Sequence, residues 1–273
     1  MIRAAEERAF YDRIYAQHLD LPDHALACNR RTLAADLANP ERAIYERRRL
    51  FETALEKLLA QPVAGLRALD YGCGAGDWGL VLAGEGAEVT FLDLSPVAIE
   101  LALRRAGASG VAHRVRGVPR DAGELACFAD AEFDLIFASA ALHHTLKYPD
   151  ALEELVRVLK PGGRLILAET YGNNPLLNAA RRLGWRLHRQ PAEAGEEILF
   201  SDRELGLLRR HFRDVELTPL NLLAMAKRLF RGRFASPWVR RLLAALEVAD
   251  RLLLRAFPLL HRHCGEVVVV AVR

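Results

Sequence analysis

From Arg67 onward, short β-type runs alternate with amphipathic helical stretches, and this alternation restricts the fold more than any other feature of the chain. Arg67–Asp70, Glu88–Asp93, Val111–Val115, Phe133–Ser139 and Arg164–Glu169 read as strands, each followed by a helical pattern. Strands separated by helices cannot form hairpins; they pair in parallel, with the helices covering both faces of the sheet. Val215–Leu220 and Glu266–Val272 read as two closing strands, the second almost wholly valine, as a strand buried on both faces would be.

Punctuation residues fix the boundaries. Ser95-Pro96 offers a cap and a first-turn proline for a helix running to about Arg105. Lys160-Pro161-Gly162-Gly163 stops the helix Asp150–Leu159, and Ser201 with Glu204 has capping-box spacing for a helix to about Phe212. Before the alternation, residues 1–60 read as a helical N-terminal cap, followed by an α/β domain over 61–273. Within that domain, residues from about 221 to 263 are too long a connection for a hairpin and read as a helical insertion before the last strand.

Composition excludes several classes. With 51% hydrophobic residues in 273, a core is easily filled, and 38 basic against 35 acidic residues leave a net charge of only +3, so bulk charge demands neither nucleic acid nor an anionic membrane. No run reaches the ~18 apolar residues of a membrane span. The N-terminus, with Arg3, Glu6, Glu7 and Arg8, lacks the pattern of a secretory signal. Cys28, Cys73, Cys127 and Cys264 are scattered without C-x-x-C or metal-ligand spacing, so no metal is expected and a reduced, cytoplasmic setting follows.

The chemistry concentrates in Leu69-Asp70-Tyr71-Gly72-Cys73-Gly74-Ala75-Gly76-Asp77, between the first strand and its helix. Glycines there permit a tight turn and a close approach of ligand to backbone. Dinucleotide oxidoreductases place a similar loop here, but Asp77 stands where G-x-G-x-x-G needs its third glycine, and Asp70 and Asp77 would repel a pyrophosphate. Two carboxylates suit a ligand carrying an ammonium and a sulfonium. Asp93 ends the second strand 23 positions after Asp70, where an acidic residue would hold a ribose diol.

Taken in order, LDYGCGAG, FLDLS, FDLIFASAALHH and LKPGGRLILAE resemble the motifs of class I S-adenosylmethionine-dependent methyltransferases, in particular the small-molecule, type 11-like branch. The resemblance covers residues 67–170 well and the end of the chain more weakly. It implies a Rossmann-like, doubly wound, mostly parallel seven-stranded sheet with an antiparallel C-terminal strand, and S-adenosyl-L-methionine as cofactor, with S-adenosyl-L-homocysteine as product. By position, it implies that Asp70, Gly72, Gly74 and Gly76 border the methionine part, that Asp93 takes the ribose hydroxyls and that Leu94 packs on adenine. Asp121 and Ala122 match the region near the adenine amino group, and Ser139 sits where the fourth strand meets the cofactor. Val118-Pro119-Arg120 lengthens the approach to Asp121 relative to the family pattern.

Tyr11 and Tyr15 resemble a helix that closes over the cofactor; packing of an amphipathic helix is the alternative. His143 and His144, after the fourth strand, are candidate bases for a protonated acceptor, with Glu169 and Tyr171 in reserve. A small-molecule acceptor is favoured over nucleic acid, since Ser139-Ala140-Ala141-Leu142 stands where an Asn-Pro-Pro-Tyr-type signature would be. Rival classes are a nicotinamide oxidoreductase and a catalytically silent cofactor-binding protein. In the insertion, Leu242, Leu246, Ala249, Leu253 and Leu260 form a stripe with three readings: a core face, a lid over a lipophilic acceptor, or a helix making peripheral contact with a membrane. Lys227, Arg228, Arg231 and Arg233 keep an anionic acceptor or lipid surface open.

Overall fold

In the computed structural model, residues 4–121, 123, 125–145, 150–180 and 199–273 are described. Seven strands form one sheet: β1 (Arg67–Tyr71), β2 (Glu88–Asp93), β3 (Val115–Pro119), β4 (Phe133–Ser139), β5 (Leu159–Thr170), β6 (Asp214–Leu220) and β7 (Glu266–Val272). Their order is β3-β2-β1-β4-β5-β7-β6; the first five are parallel, and β7 runs antiparallel to both β5 and β6. The chain runs outward from β1 through β2 to β3, then returns to β4 on the other side of β1. This reversal opens a crevice beyond the carboxyl ends of β1 and β4.

Before the sheet come α1 (Ala4–Ala16), α2 (Asp23–Leu26), α3 (Arg30–Ala38) and α4 (Arg48–Leu58); within and after it come α5 (Asp77–Gly84), α6 (Pro96–Ala108), α7 (Leu142–Thr145), α8 (Ala151–Val158), α9 (Asp202–His211) and α10 (Pro237–Ala256). Successive strand residues point to opposite faces. Ala68, Phe91 and Phe137 therefore pack with Leu33, Leu50, Leu82 and Ala102 from α3 to α6, whereas Leu69, Leu92 and Ile136 pack with Leu155 and Leu208 from α8 and α9. Ser95 caps α6 by accepting the Ala98 amide at 3.0 Å, with Pro96 in the first turn, and the Ser201–Glu204 capping box opens α9.

The third strand departs from the sequence expectation of Val111–Val115. The amides of Val111 and Gly110 bond back to Ala106 and Gly107, closing α6 with a Schellman motif about Gly110 at φ +74°, so Val111 completes a helix end instead of starting a strand. The true strand, Val115–Pro119, contains Gly117 and Pro119, which discouraged its recognition; it tolerates the proline because it lies at the sheet edge. β5 is also longer than Arg164–Glu169, since Lys160–Gly163 continues the strand through a register shift against β4.

The 221–263 region is helical, but α10 faces its neighbours differently than expected. The buried side is Val239, Leu243 and Asp250, with Leu246 beside them, while Leu242 is exposed. Asp250 sets this rotation: its carboxylate accepts the amides of Leu222, Leu223 and Ala224 at 2.7–3.0 Å, fixing the helix against the turn after β6. At the start of β7, the buried Glu266 meets Lys227 Nζ at 2.8 Å, Asn221 Nδ2 at 2.5 Å and Arg47 at 3.6 Å, which ties the insertion and the N-terminal helices to the sheet. The facing Lys227 and Arg47 charges hold the Glu266 carboxyl below its ordinary value despite the opposing pull of burial. Removing one partner from such a pair strands a buried charge. Lys227→Met should therefore cost about 3 kcal/mol in urea unfolding, and adding Glu266→Leu should recover part of that loss.

Candidate functional site

Beyond the carboxyl ends of β1, β2 and β4 lies a cavity of about 310 Å³. Gly72 contributes the turn after β1, Asp93 and Leu94 the end of β2, Asp121 the loop after β3, and Ser139, Ala140 and Ala141 the end of β4. Glu7, Tyr11 and Tyr15 line it from α1; their spacing of four puts all three on one face of that helix. α1 is held there by Asp12, whose Oδ1 accepts the Ser95 hydroxyl at 2.5 Å. The reading of Tyr11 and Tyr15 as ordinary packing residues is thus replaced by one in which they cover a cavity, their rings stacked at 6.4 Å. Glu7 went unnoticed in the sequence, although one more step of four from Tyr11 reaches it.

The glycine turn is shaped by its neighbours. Gly72 and Cys73 both donate to the Leu92 carbonyl, at 2.8 and 3.0 Å, which pulls the end of β1 onto the end of β2. Gly74, at φ +52°, leaves room for Tyr15: a Cβ there would stand 2.5 Å from the tyrosine hydroxyl. Gly72 lines the cavity, whereas Gly76 is packed against Ala102 and Phe91 of the fold and does not line it. Ala140 adopts φ +52°, a left-handed backbone for a residue with a Cβ, and donates to the Ala168 carbonyl at 3.0 Å. Strain of this kind collects where a surface must hold a set shape.

Asp93 is the most constrained acid of the cavity. Its Oδ2 accepts the Gly74 amide at 2.8 Å and its Oδ1 the Ser95 amide at 2.9 Å, so the carboxylate is aimed by two loops at once. A carboxylate accommodates about four hydrogen bonds, so this aim is compatible with holding a diol as well. Asp121 accepts the Gly123 amide at 2.9 Å in a local turn. Burial, then the nearby Asp93, keeps the Tyr15 hydroxyl protonated far above its ordinary range.

Several residues expected at the ligand do other work. Asp70 is buried and does not line the cavity; its Oδ2 accepts the Gly79 amide at 2.9 Å and caps α5 from within the sheet. Asp77 is paired with Arg105 at 2.7 Å, and Arg105 also donates to the carbonyls of Ala75 and Leu26. The repulsion of a pyrophosphate cannot therefore be assigned to Asp70 and Asp77. Glu7, Asp93 and Asp121 are the acids that line the cavity. Glu169 and Tyr171 are likewise occupied away from the cavity: Glu169 Oε1 accepts the amides of Ala141 and Leu142 at 3.2 and 3.0 Å, and the Tyr171 hydroxyl donates to Asp202 at 2.9 Å. His143 and His144 belong to α7, which starts at those held amides; their side chains, like Ala122, lie outside the described residues.

Residues 69–167 match the family model described as a methyltransferase domain. The matched stretch runs from β1 into β5 and carries the glycine turn, Asp93 and Ser139. The chain is 38% identical over 120 residues to a demethylmenaquinone methyltransferase of Clavibacter sepedonicus, spanning 44% of this chain and 47% of that one. It is 40% identical over 125 residues to the enzyme of that name from Thermus thermophilus, spanning 45% and 53%. The chain thus spans about half the length of these relatives. Among solved structures, phosphoethanolamine N-methyltransferase 2 of Haemonchus contortus, determined with S-adenosyl-L-methionine, superposes with a TM-score of 0.58 at 20% identity, covering 98% of this chain and 60% of that one, a likeness of fold. No helix among the described residues is long and apolar enough to cross a membrane.

Within the matched stretch, burial raises the Asp70 carboxyl to about 7, with the Gly79 amide opposing and Asp77 and Asp93 adding to the rise. The ordinary value is 3.8, so between about pH 4 and 7 the native state keeps a proton that the unfolded chain has released, and stability falls as pH rises through this window. Asp70→Asn keeps an acceptor for Gly79 but removes the titration. Urea midpoints taken at about pH 5 and pH 8 should differ less for Asp70→Asn than for the wild type, by up to about 2–3 kcal/mol in unfolding free energy.

Proposed function

We propose that this chain is an S-adenosyl-L-methionine-dependent methyltransferase acting on a small, lipophilic or natural-product-like molecule. The observation that carries the reading is the acidic cavity at the sheet reversal, walled by Glu7, Asp93 and Asp121 and covered by Tyr11 and Tyr15. Its charge favours a cationic nucleoside and opposes a pyrophosphate, and about 310 Å³ falls within the range of small-molecule and cofactor sites.

On this reading Asp93 holds the ribose diol, Leu94 lies against adenine, and Asp121 faces the adenine amino group. The ammonium-bearing methionine part falls to Glu7 and the Gly72 turn. Of the 1–60 helical cap, α1 covers the cofactor while α3 and α4 pack on the sheet, and the 221–263 insertion belongs to the acceptor side of the 61–273 domain. When bound, the cofactor supplies a sulfonium methyl group. The protein's share is positional: the tyrosines of α1 exclude water, and the α7 and β4 segments set the acceptor behind the methyl in line with the leaving sulfur. His144, with His143 as its alternate, takes the proton of an acceptor that carries one. The relatives are named for a quinone precursor and the structural neighbour for an amine, so the family likeness leaves carbon, oxygen and nitrogen acceptors open. The four cysteines, scattered and without C-x-x-C spacing, fit a cytoplasmic setting.

Isothermal titration of the purified chain should show about micromolar binding of S-adenosylhomocysteine and none of NADH or NADPH, with Asp93→Ala weakening the former at least about tenfold while the thermal transition persists. Binding of a nicotinamide cofactor alone would remove the proposal. Once an acceptor is found, His144→Ala should lower turnover about a hundredfold while S-adenosylhomocysteine affinity stays within about twofold; unchanged turnover would take His144 out of the mechanism.

A further inference from the structure

Charge in this chain is divided unevenly. Between Asn221 and His263 there are nine lysines and arginines against two acids, a net of +7 in a chain whose total is +3, so the remainder is net negative. Some of these cations are engaged: Lys227 with Glu266, Arg231 with Glu46 and Arg262 with Asp202. Arg233, Arg240, Arg241, Arg251 and Arg255 are exposed and form no ion pair among the described residues. Four of these five lie on α10.

The same helix carries an exposed apolar stripe beside its buried one. At 100° per residue, Trp238, Leu242, Ala249 and Leu252 fall within about 80° of one another. Its centre lies roughly 115° round the helix from that of Val239, Leu243 and Asp250. Trp238 is 56% exposed and Leu252 61%, and beyond the helix Phe257 and Leu259 are 58% and 87% exposed. Arg241 lies just past the edge of the stripe away from the core, and Arg255, Arg251 and Arg240 follow it farther round the helix. A helix docked by one face on a protein core has no need of an exposed margin of tryptophan and leucine flanked by unpaired arginines. That arrangement suits the boundary of an anionic bilayer, where tryptophan and leucine enter the headgroup region and arginines meet phosphates.

We propose that α10 and the turn after it dock this protein on the surface of an anionic membrane. The occupant is a lipid surface and not a second copy of the chain, because a copy would bring the same +7 segment against itself, whereas phosphate headgroups complement it. The proposal does not depend on the methyl-transfer reading. If both hold, the docking face belongs to the insertion on the acceptor side, which would let a lipophilic acceptor be taken from the bilayer.

The test is co-sedimentation of the full chain with vesicles of phosphatidylcholine alone and of phosphatidylcholine with phosphatidylglycerol, at low and high salt. Two variants, Trp238→Ser/Leu252→Ser/Leu259→Ser and Arg240→Gln/Arg241→Gln/Arg251→Gln/Arg255→Gln, change only exposed side chains, and circular dichroism checks that they fold. The wild type should bind the phosphatidylglycerol vesicles and not phosphatidylcholine alone, lose binding at high salt, and bind at least about tenfold more weakly in either variant. Absence of binding to phosphatidylglycerol vesicles at low salt would overturn the proposal. So would unchanged binding of the apolar variant, which would leave only a diffuse charge effect, or a wild-type dimer in sedimentation velocity that the apolar variant abolishes, which would give the face to a second copy.

Discussion

The Asp93 carboxylate holds the site together. One oxygen takes the Gly74 amide from the turn after β1 and the other the Ser95 amide from the turn after β2. Ser95 in turn caps α6 and donates its hydroxyl to Asp12 of α1, and α1 carries Tyr15 back over Gly74. The result is a closed circuit of contacts, from Asp93 through both turns to the covering helix and back. Each member fixes the next, so the cavity's shape follows from strand ends already rigid in the sheet. A cavity formed this way needs little reorganisation to receive a ligand, which is the condition for placing a reacting methyl group in line with its acceptor.

Acidic residues around this circuit divide by what they face. Asp70 points inward and caps α5 at the cost of a carboxyl raised to about 7 by burial, and Asp77 is neutralised by Arg105. Glu7, Asp93 and Asp121 line the cavity. The opposite sign collects in the insertion, whose exposed arginines lie on a different part of the surface. A modest overall charge of +3 thus conceals an acidic cavity and a basic outer helix, each suited to a different kind of partner.

The alternation of runs in the sequence was enough for the parallel core, because burial on both faces leaves a periodic signal in every central strand. It failed at β3, where an edge position relaxes the rules that made Gly117 and Pro119 look foreign to a strand, and where Gly110 turned Val111 into a helix end. For α10 it left a core face, a lid and a membrane contact open, and only the core face is redrawn, since Asp250, a polar residue on the buried side, is explained only by the three distant amides it receives. In the site, Asp93, Leu94, Asp121, Ser139, Gly72, Tyr11 and Tyr15 do line one cavity. Asp70 could not be read correctly from its neighbours in sequence, because its partner Gly79 becomes adjacent only after the turn has formed. Glu7 was hidden for the opposite reason: an acid near a chain start looks like solvated surface until its helix is seen to lie across the sheet edge.

Hydrogen exchange with and without S-adenosylhomocysteine tests the central claim most directly, because it asks whether the ligand closes this circuit. The account predicts slowed exchange in three separated stretches at once, 72–76, 93–95 and the 4–16 helix, with little change at β6 and β7. Protection confined elsewhere, or none in the 4–16 helix under saturating ligand, would contradict it.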